Sequence, residues 1–248
     1  MNIDANYKIT ANELQNKVIL VTGANRGLGR AAVLDLAQAG ALVVMLGRDF
    51  GGLEAVYDEV VSAGFQEPFL YPLDLEGATP QNYQQLQADI LDNFGRLDGL
   101  ILNAATLGTL MPIEQYDIKI WYSTMQINLN AAFMLTQFLL PPLKQSVDAR
   151  ILFLSSAVGR TARAYWGAYG VSKFALEGLS KTLSEELEKT NIRVNSLDPG
   201  AMKTKMRRDA YPAENADKNP LPSAKSPAIV YLMGEKSKGL NGEKLVIN

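Results

Sequence analysis

The chain has 248 residues, 47% of them hydrophobic, and a formal net charge of -2. That composition supplies one large apolar core but not the concentrated basic surface on which nucleic-acid binding depends. Cysteine and histidine are both absent, which excludes disulfides, thiolate nucleophiles and Cys-ligated metals and removes the commonest general base and zinc ligand. Acid–base chemistry near neutral pH then falls to a perturbed Tyr, Lys, Asp or Glu, and no metal is expected.

The first sixteen residues are polar and lack the apolar segment of a signal peptide. The most lipid-like stretch, residues 133–143, is interrupted by Thr136, Gln137, Pro141 and Pro142, so no membrane partner is expected and a cytoplasmic location follows. From there, short apolar runs recur at residues 18–21, 42–46, 69–73, 97–102, 151–154, 193–197 and 244–247, with longer amphipathic stretches between them. Runs that are apolar throughout, rather than alternating, mark strands covered by helices on both faces of a parallel sheet. The expectation is one α/β domain spanning residues 1–248, a doubly wound Rossmann-type fold with a seven-stranded parallel sheet. In such sheets ligands bind beyond the carboxyl ends of the strands, where the strand order reverses.

After the first run comes Thr22-Gly23-Ala24-Asn25-Arg26-Gly27-Leu28-Gly29, a glycine-rich turn opening a helix. Glycines there permit a tight turn and close approach of the backbone to a pyrophosphate on the helix N-terminus. A plain strand-to-helix connection is the alternative. A P-loop is disfavoured, because no Gly-Lys-Ser or Gly-Lys-Thr follows. Further on, Tyr169 and Lys173 stand four residues apart on a predicted helix, hence on one face. A free phenol titrates near ~10, and an adjacent ammonium would stabilise its phenolate.

The remaining signals fall at strand ends in a definite order: Asp74, then Asn103-Ala104-Ala105, Asn128 within a long helix, Ser156 thirteen residues before Tyr169, and finally Pro199-Gly200 and Thr204. Together with the three-residue gap between Gly23 and Gly27, this order resembles the classical short-chain dehydrogenase/reductase family over nearly the whole chain. The resemblance implies that Tyr169 exchanges a proton with a carbonyl or alcohol oxygen and that Lys173 lowers its pKa and holds the nicotinamide ribose. Ser156 would polarise the same oxygen, while Ser155 caps the strand or bonds backbone. Asn128 would support a water-mediated proton relay, or else bond the backbone of the facing strand.

For the cofactor, the resemblance places Gly23, Asn25, Arg26, Gly27, Leu28 and Gly29 at the pyrophosphate, and Asp74 with Leu75 at the adenine. Asp at that position also suits a helix N-cap. Asn103, Ala104, Pro199, Gly200 and Thr204 complete the set. Ala105 stands where the family has glycine, and its methyl could crowd the ribose unless φ stays negative. At the end of the second strand, where an NAD site carries an acid, this chain has Gly47 followed by Arg48. Arg48 and Arg26 could converge on a 2′-phosphate, so NADP(H) is expected in preference to NAD(H). The alternative has both arginines solvated and Asp49 on the ribose.

On the substrate side, Arg160, Arg163, Tyr165 and Trp166 could line a pocket for a carboxylate or a phosphorylated carrier arm, or form a solvated loop. A substrate lid is expected around residues 201–226. Its cations Lys203, Lys205, Arg207 and Arg208 could dock an acidic acyl carrier or be a solvated helix face. The long helices near residues 114–140 and 167–188 carry apolar residues on more than one face, among them Phe133, Met134, Leu135, Phe138 and Leu139. With the resemblance, this implies a homodimer or homotetramer. The expected activity is an NADPH-dependent reduction of a ketone or 3-oxoacyl thioester, as in bacterial 3-oxoacyl carrier protein reductases. A cofactor-binding sensor or scaffold without turnover and an alcohol or sugar dehydrogenase working oxidatively are the alternatives.

Overall fold

The computed structural model describes residues 1–247. In chain order the main elements are β1 (Asn2–Ile3), β2 (Val18–Thr22), α1 (Gly27–Gln38), β3 (Leu42–Gly47), α2 (Phe50–Ser62), β4 (Phe69–Pro72), α3 (Pro80–Phe94), β5 (Gly99–Leu102), α4 (Ile118–Met125), α5 (Ala131–Lys144), β6 (Ala149–Leu154), α6 (Gly167–Glu186), β7 (Ile192–Asp198), α7 (Lys205–Ala210), α8 (Pro227–Met233) and β8 (Lys244–Ile247). The strands form one parallel sheet in the order β1-β8-β7-β6-β5-β2-β3-β4. The chain winds outward in one direction from β2 through β3 to β4 and in the other from β5 to β8. The crevice between the carboxyl ends of β2 and β5 is therefore the switch point at which such folds bind ligands.

The apolar strands divide by residue parity. In β2, Ile19 and Val21 join a core with Leu36 of α1, Val56 of α2 and Ile229 of α8. Val18 and Leu20 join the opposite core with Leu86 of α3, Leu139 of α5 and Leu176 of α6. Alternating side chains thus bury into different helical layers, which is why apolar residues occupy both parities of β2.

All seven predicted strands are present, and the sheet has an eighth. Asn2 and Ile3 pair with Val246 and Ile247 at the outer edge of β8. Two residues are too few for any hydrophobic period to mark, and only Ile3 of the pair is buried. The long helix expected near residues 114–140 begins at Ile118 and is interrupted by a π-turn, Gln126–Asn130, between α4 and α5. The predicted lid consists of α7 and two short 3-10 turns, Ala216–Lys218 and Pro222–Ala224. Among the described residues no helix is long and apolar enough to cross a membrane.

Candidate active site

A cleft of about 1360 Å³ opens over the carboxyl ends of the strands. Every residue predicted for cofactor or catalysis lines it except Gly29 and Asn128, which act from behind its wall. Gly23 and Gly27 have φ of 65° and 56°, left-handed backbone that favours glycine. Gly29 is required by packing, since a Cβ there would sit 2.1 Å from the Gly23 carbonyl oxygen. The first turn of α1 has no side-chain cap, so its free N–H groups face the cleft ready for an anion.

Asn103 holds this turn from the end of β5, its Nδ2 donating to the Thr22 carbonyl at 2.8 Å. The N–H groups of Asn103 and Ala104 both donate to Thr22 Oγ1 at 2.9 Å. Thr22 therefore latches the two sides of the switch point. Sequence reasoning quoted it only as the start of the glycine turn; a β-branched hydroxyl at the last strand position was the available signal. Ala105 lines the cleft and is not among the residues with positive φ, so its methyl is accommodated without backbone strain.

Arg26 and Arg48 both border the far end of the cleft, joined by Arg30, which is paired with Glu59. Asp49 is committed elsewhere: it caps α2 through the Gly52 N–H at 3.2 Å and accepts from Asn25 Nδ2 at 3.3 Å. Asp74 is not a helix cap. Its Oδ1 accepts the Glu76 N–H at 3.1 Å, while α3 is capped by Thr79 with Asn82 in a reciprocal capping box.

Ser156 leaves β6 in extended conformation and opens a 3-10 turn, Ala157–Gly159. Tyr169 and Lys173 are buried one turn apart in α6. The Lys173 Nζ donates to the Leu154 carbonyl at 2.6 Å and stands 5.7 Å from the Tyr169 ring centroid. Burial pushes the Tyr169 phenol up to about 12; the Ser156 hydroxyl opposes this, and the Asp198 carboxylate adds to it. Burial also lowers Lys173 to about 8, against the pull of Asp198 and Glu177. Desolvation is the largest influence on the phenol, ahead of Ser156 and Asp198, and it disfavours the phenolate. Asp198, at the end of β7, was missed; it also fixes the turn that follows by accepting the Gly200 N–H at 2.9 Å.

The Asn128 side chain is tied to the loop after β5 and to α6. Its amide exchanges two hydrogen bonds with the backbone of Thr106, at 2.8 and 2.9 Å, and donates to Ser172 Oγ at 3.1 Å. It bonds backbone, as the alternative reading held, but in the loop after β5 rather than in a strand, and it does so from inside the π-turn. The Ser155 N–H donates to the Leu197 carbonyl at 2.7 Å, whereas its buried hydroxyl has no partner among the described residues and lines the cleft.

On the substrate side, Arg163 and Trp166 line the cleft, but Arg160 and Tyr165 do not. Arg160 turns inward to Glu177, which neutralises it in the interior, and Tyr165 is exposed at a positive φ of 72°. Tyr211 of the lid was also missed. Trp166 lies between the two tyrosines, its ring 5.6 Å from Tyr169 and 5.9 Å from Tyr211. The lid cations are largely self-neutralised: Lys203 pairs with Asp217, Lys205 with Asp209 and Arg207 with Glu214, each within 2.7 Å. That spacing of acids among the bases weakens the case for a docking patch.

A cleft shared by a glycine-bordered helix N-terminus and a Ser156, Tyr169 and Lys173 cluster can bind a dinucleotide and move a proton beside it. The sequence model of the short chain dehydrogenases matches residues 17–215. The chain belongs to this family. The chain is 41% identical to the uncharacterized oxidoreductase YciK of Escherichia coli over 236 residues, 95% of this chain and 93% of that protein. Its fold superposes on a short chain dehydrogenase from Pseudomonas syringae with a TM-score of 0.95 at 50% identity, covering 97% of this chain and 98% of that one. A short chain dehydrogenase from Escherichia coli CFT073, complexed with NADPH, matches with a TM-score of 0.91 at 40% identity, covering 95% and 97%. The protein is an oxidoreductase of this family, and its own residues fit a dinucleotide. The Gly29 cradle excludes a side chain, the first turn of α1 is uncapped, and the Ser155 hydroxyl is left buried without a partner at the cleft. Among the described residues no cluster of acidic side chains could hold a metal ion.

Proposed function

We propose that this oxidoreductase reduces a carbonyl, a ketone or 3-oxoacyl thioester, at the expense of NADPH. The observation that carries the reading is geometric: Tyr169 and Lys173, buried one turn apart on α6, line the same cleft over the strand ends as Ser156. Arg26 and Arg48 at its far end supply two planar donors suited to a 2′-phosphate, and the NADPH complex of the Escherichia coli CFT073 relative supports the same choice.

Gly23, Gly27 and the first turn of α1 would hold the pyrophosphate, Asp74 and Leu75 the adenine, and Asn103, Ala104, Pro199, Gly200 and Thr204 the remainder. The bound nicotinamide supplies hydride to the carbonyl carbon. Ser156 donates a hydrogen bond to the carbonyl oxygen and draws negative charge onto it. Tyr169 gives that oxygen its proton and is left as phenolate, stabilised by the Lys173 ammonium. Asn128 keeps the loop at Thr106 and the helix at Ser172 in register, and its place in the π-turn suits a relay that reprotonates the pair.

Exposed Tyr122 on α4, Phe133 on α5, and Val171 and Phe174 on α6 support a homodimer or homotetramer built on these helices. The deciding experiment follows NADPH oxidation against 3-oxoacyl thioesters, quinones, ketones and aldehydes, with Tyr169→Phe in parallel. Turnover by the native chain that falls at least about a hundredfold in the variant supports the assignment. Near-normal turnover by the variant overturns it.

A further inference from the structure

Behind the Ser156, Tyr169 and Lys173 cluster lies a second charged group that proton transfer to a carbonyl does not employ. The 3-10 turn after Ser156 packs so closely on α6 that a Cβ on Gly159 would fall 2.8 Å from Lys173 Cβ. The next residue, Arg160, directs its guanidinium under the helix. Its Nε donates to Glu177 Oε1 at 2.9 Å and its Nη2 to Ser196 Oγ at 3.3 Å. Ser196 in turn donates to Glu177 Oε2 at 2.8 Å. Both carboxylate oxygens are thereby engaged by two different elements, the turn after β6 and the strand β7. Glu177 and Ser196 are buried, and Glu177 sits one turn beyond Lys173 on α6. A buried ion pair of this kind adds little stability over a packed apolar pair of the same volume. Its place in the fold asks for another explanation.

We propose that Arg160, Glu177 and Ser196 form a positioning network that clamps the Ser156 turn against α6 and β7 and sets the negative charge that faces the Lys173 ammonium along its own helix. The inference rests on the reading of Ser156, Tyr169 and Lys173 as the catalytic set. The groups facing Lys173 come from every neighbouring element. Tyr169 and Glu177 lie on α6, Asp198 comes from β7, and the Leu154 carbonyl comes from β6. Arg160 stands behind Glu177, and Asn128 brings a non-titrating amide from the π-turn through Ser172. Burial drives Lys173 toward its neutral form, while Asp198 and then Glu177 oppose it. Arg160, bonded to Glu177, determines how much of that carboxylate's charge is left for the lysine.

The test needs neither substrate nor cofactor. Lysine labelled with 13C at Cε is followed by NMR through the alkaline range, the Lys173 signal being assigned by its loss in Lys173→Arg. Glu177→Gln is expected to lower the Lys173 midpoint by roughly one pH unit, the scale of one partly screened charge at helical-turn distance. Arg160→Gln is expected to raise it, because the carboxylate loses its counter-ion, and Arg160→Lys is expected to restore the native value. Opposite signs from two neighbouring deletions are not a consequence of general loosening. Unchanged midpoints in both single variants, or shifts of the same sign, overturn the network. Arg160 lies at the rim of the cluster, with 17% of its side chain exposed. Its variant therefore keeps the proposal falsifiable if Glu177→Gln does not fold. Midpoints that move as expected in a protein that turns over no carbonyl with NADPH would uphold the network and sink the reductase reading. Static midpoints in a protein whose turnover depends on Tyr169 would do the reverse.

Discussion

The Arg163 guanidinium donates from Nη1 to the phenolic oxygen of Tyr211 at 2.7 Å, tying the loop ahead of α6 to the lid that overhangs the cleft. The face of the same tyrosine is covered by Arg207, whose guanidinium carbon lies 3.7 Å from the ring centroid, and Arg207 is anchored in turn by Glu214. Lid position and substrate-side wall are thus set by one aromatic ring.

Breaking that tie loosens the lid without touching the proton donor. Arg163→Met and Tyr211→Phe should each raise KM for the carbonyl roughly three- to tenfold, the scale of one ordinary net hydrogen bond of about 1 kcal/mol. The Kd for NADPH, read by fluorescence titration, should stay unchanged. An unaltered KM in both variants would show that the wall and lid do not touch substrate.

Lys173 gives the reaction a pH limb. Its ammonium, lowered to about 8 by burial, stabilises the phenolate left after Tyr169 has given up its proton. Reductive kcat/KM should therefore be level below pH 8 and fall above it, while the Tyr169 phenol, held near 12, stays protonated throughout. An alkaline limb placed near 10 instead would separate Lys173 from the reaction.

The same shift bears on stability. Because the folded pKa of about 8 lies below the ordinary 10.5, the stability linked to Lys173 is present above pH 10.5 and lost as pH falls through 8. Lys173→Met should thus be more stable than the native chain at neutral pH, by up to about 3 kcal/mol. The advantage should fade between pH 8 and 10.5 in urea unfolding. A variant less stable at neutral pH would mean that the bond to Leu154 outweighs the desolvation.

Gly29→Ala forces a methyl to 2.1 Å from the Gly23 carbonyl oxygen. Either the turn opens or α1 shifts, at a cost of about 1–3 kcal/mol. NADPH affinity should fall along with the unfolding midpoint, whereas Gly239→Ala, where a Cβ meets nothing within 4 Å and φ is not positive, should leave binding intact. Equal effects on binding from the two would remove Gly29 from the dinucleotide turn.

Arg48→Ala should weaken NADPH roughly ten- to a hundredfold, the loss of about 1.5–3 kcal/mol in charge-assisted hydrogen bonding. NADH binding should be nearly unaffected, as two parallel titrations would show. Equal losses for both cofactors would place the arginine on a group that they share.

Much of this was legible before any coordinates. Seven strands stood out, most of them because they are apolar at both parities, as in β2 and β3, which follows from helices covering both sheet faces. Gly23 and Gly27 form the tight turn expected of them, and the four-residue spacing of Tyr169 and Lys173 needs only a helix to bring them to one face. The two-residue strand at Asn2 was beyond reach, since its pairing with β8 joins the two ends of the chain and leaves no local period.

Local spacing, backbone conformation and the division of apolar residues between sheet faces belonged to the sequence itself, because each depends on residues within a turn or a strand of one another. Partnerships across the fold did not. Arg160 reads as a loop cation until α6 brings Glu177 beneath it, and the hydrogen bond that Asp49 accepts from Asn25 joins two turns far apart in the chain. Tyr169 beside Lys173 reads as a phenol facing one cation, whereas the fold also buries it and brings Asp198 near. Desolvation and pairing depend on which distant elements exclude water from a group, so the tertiary structure alone decided which charges face the cleft and which neutralise one another.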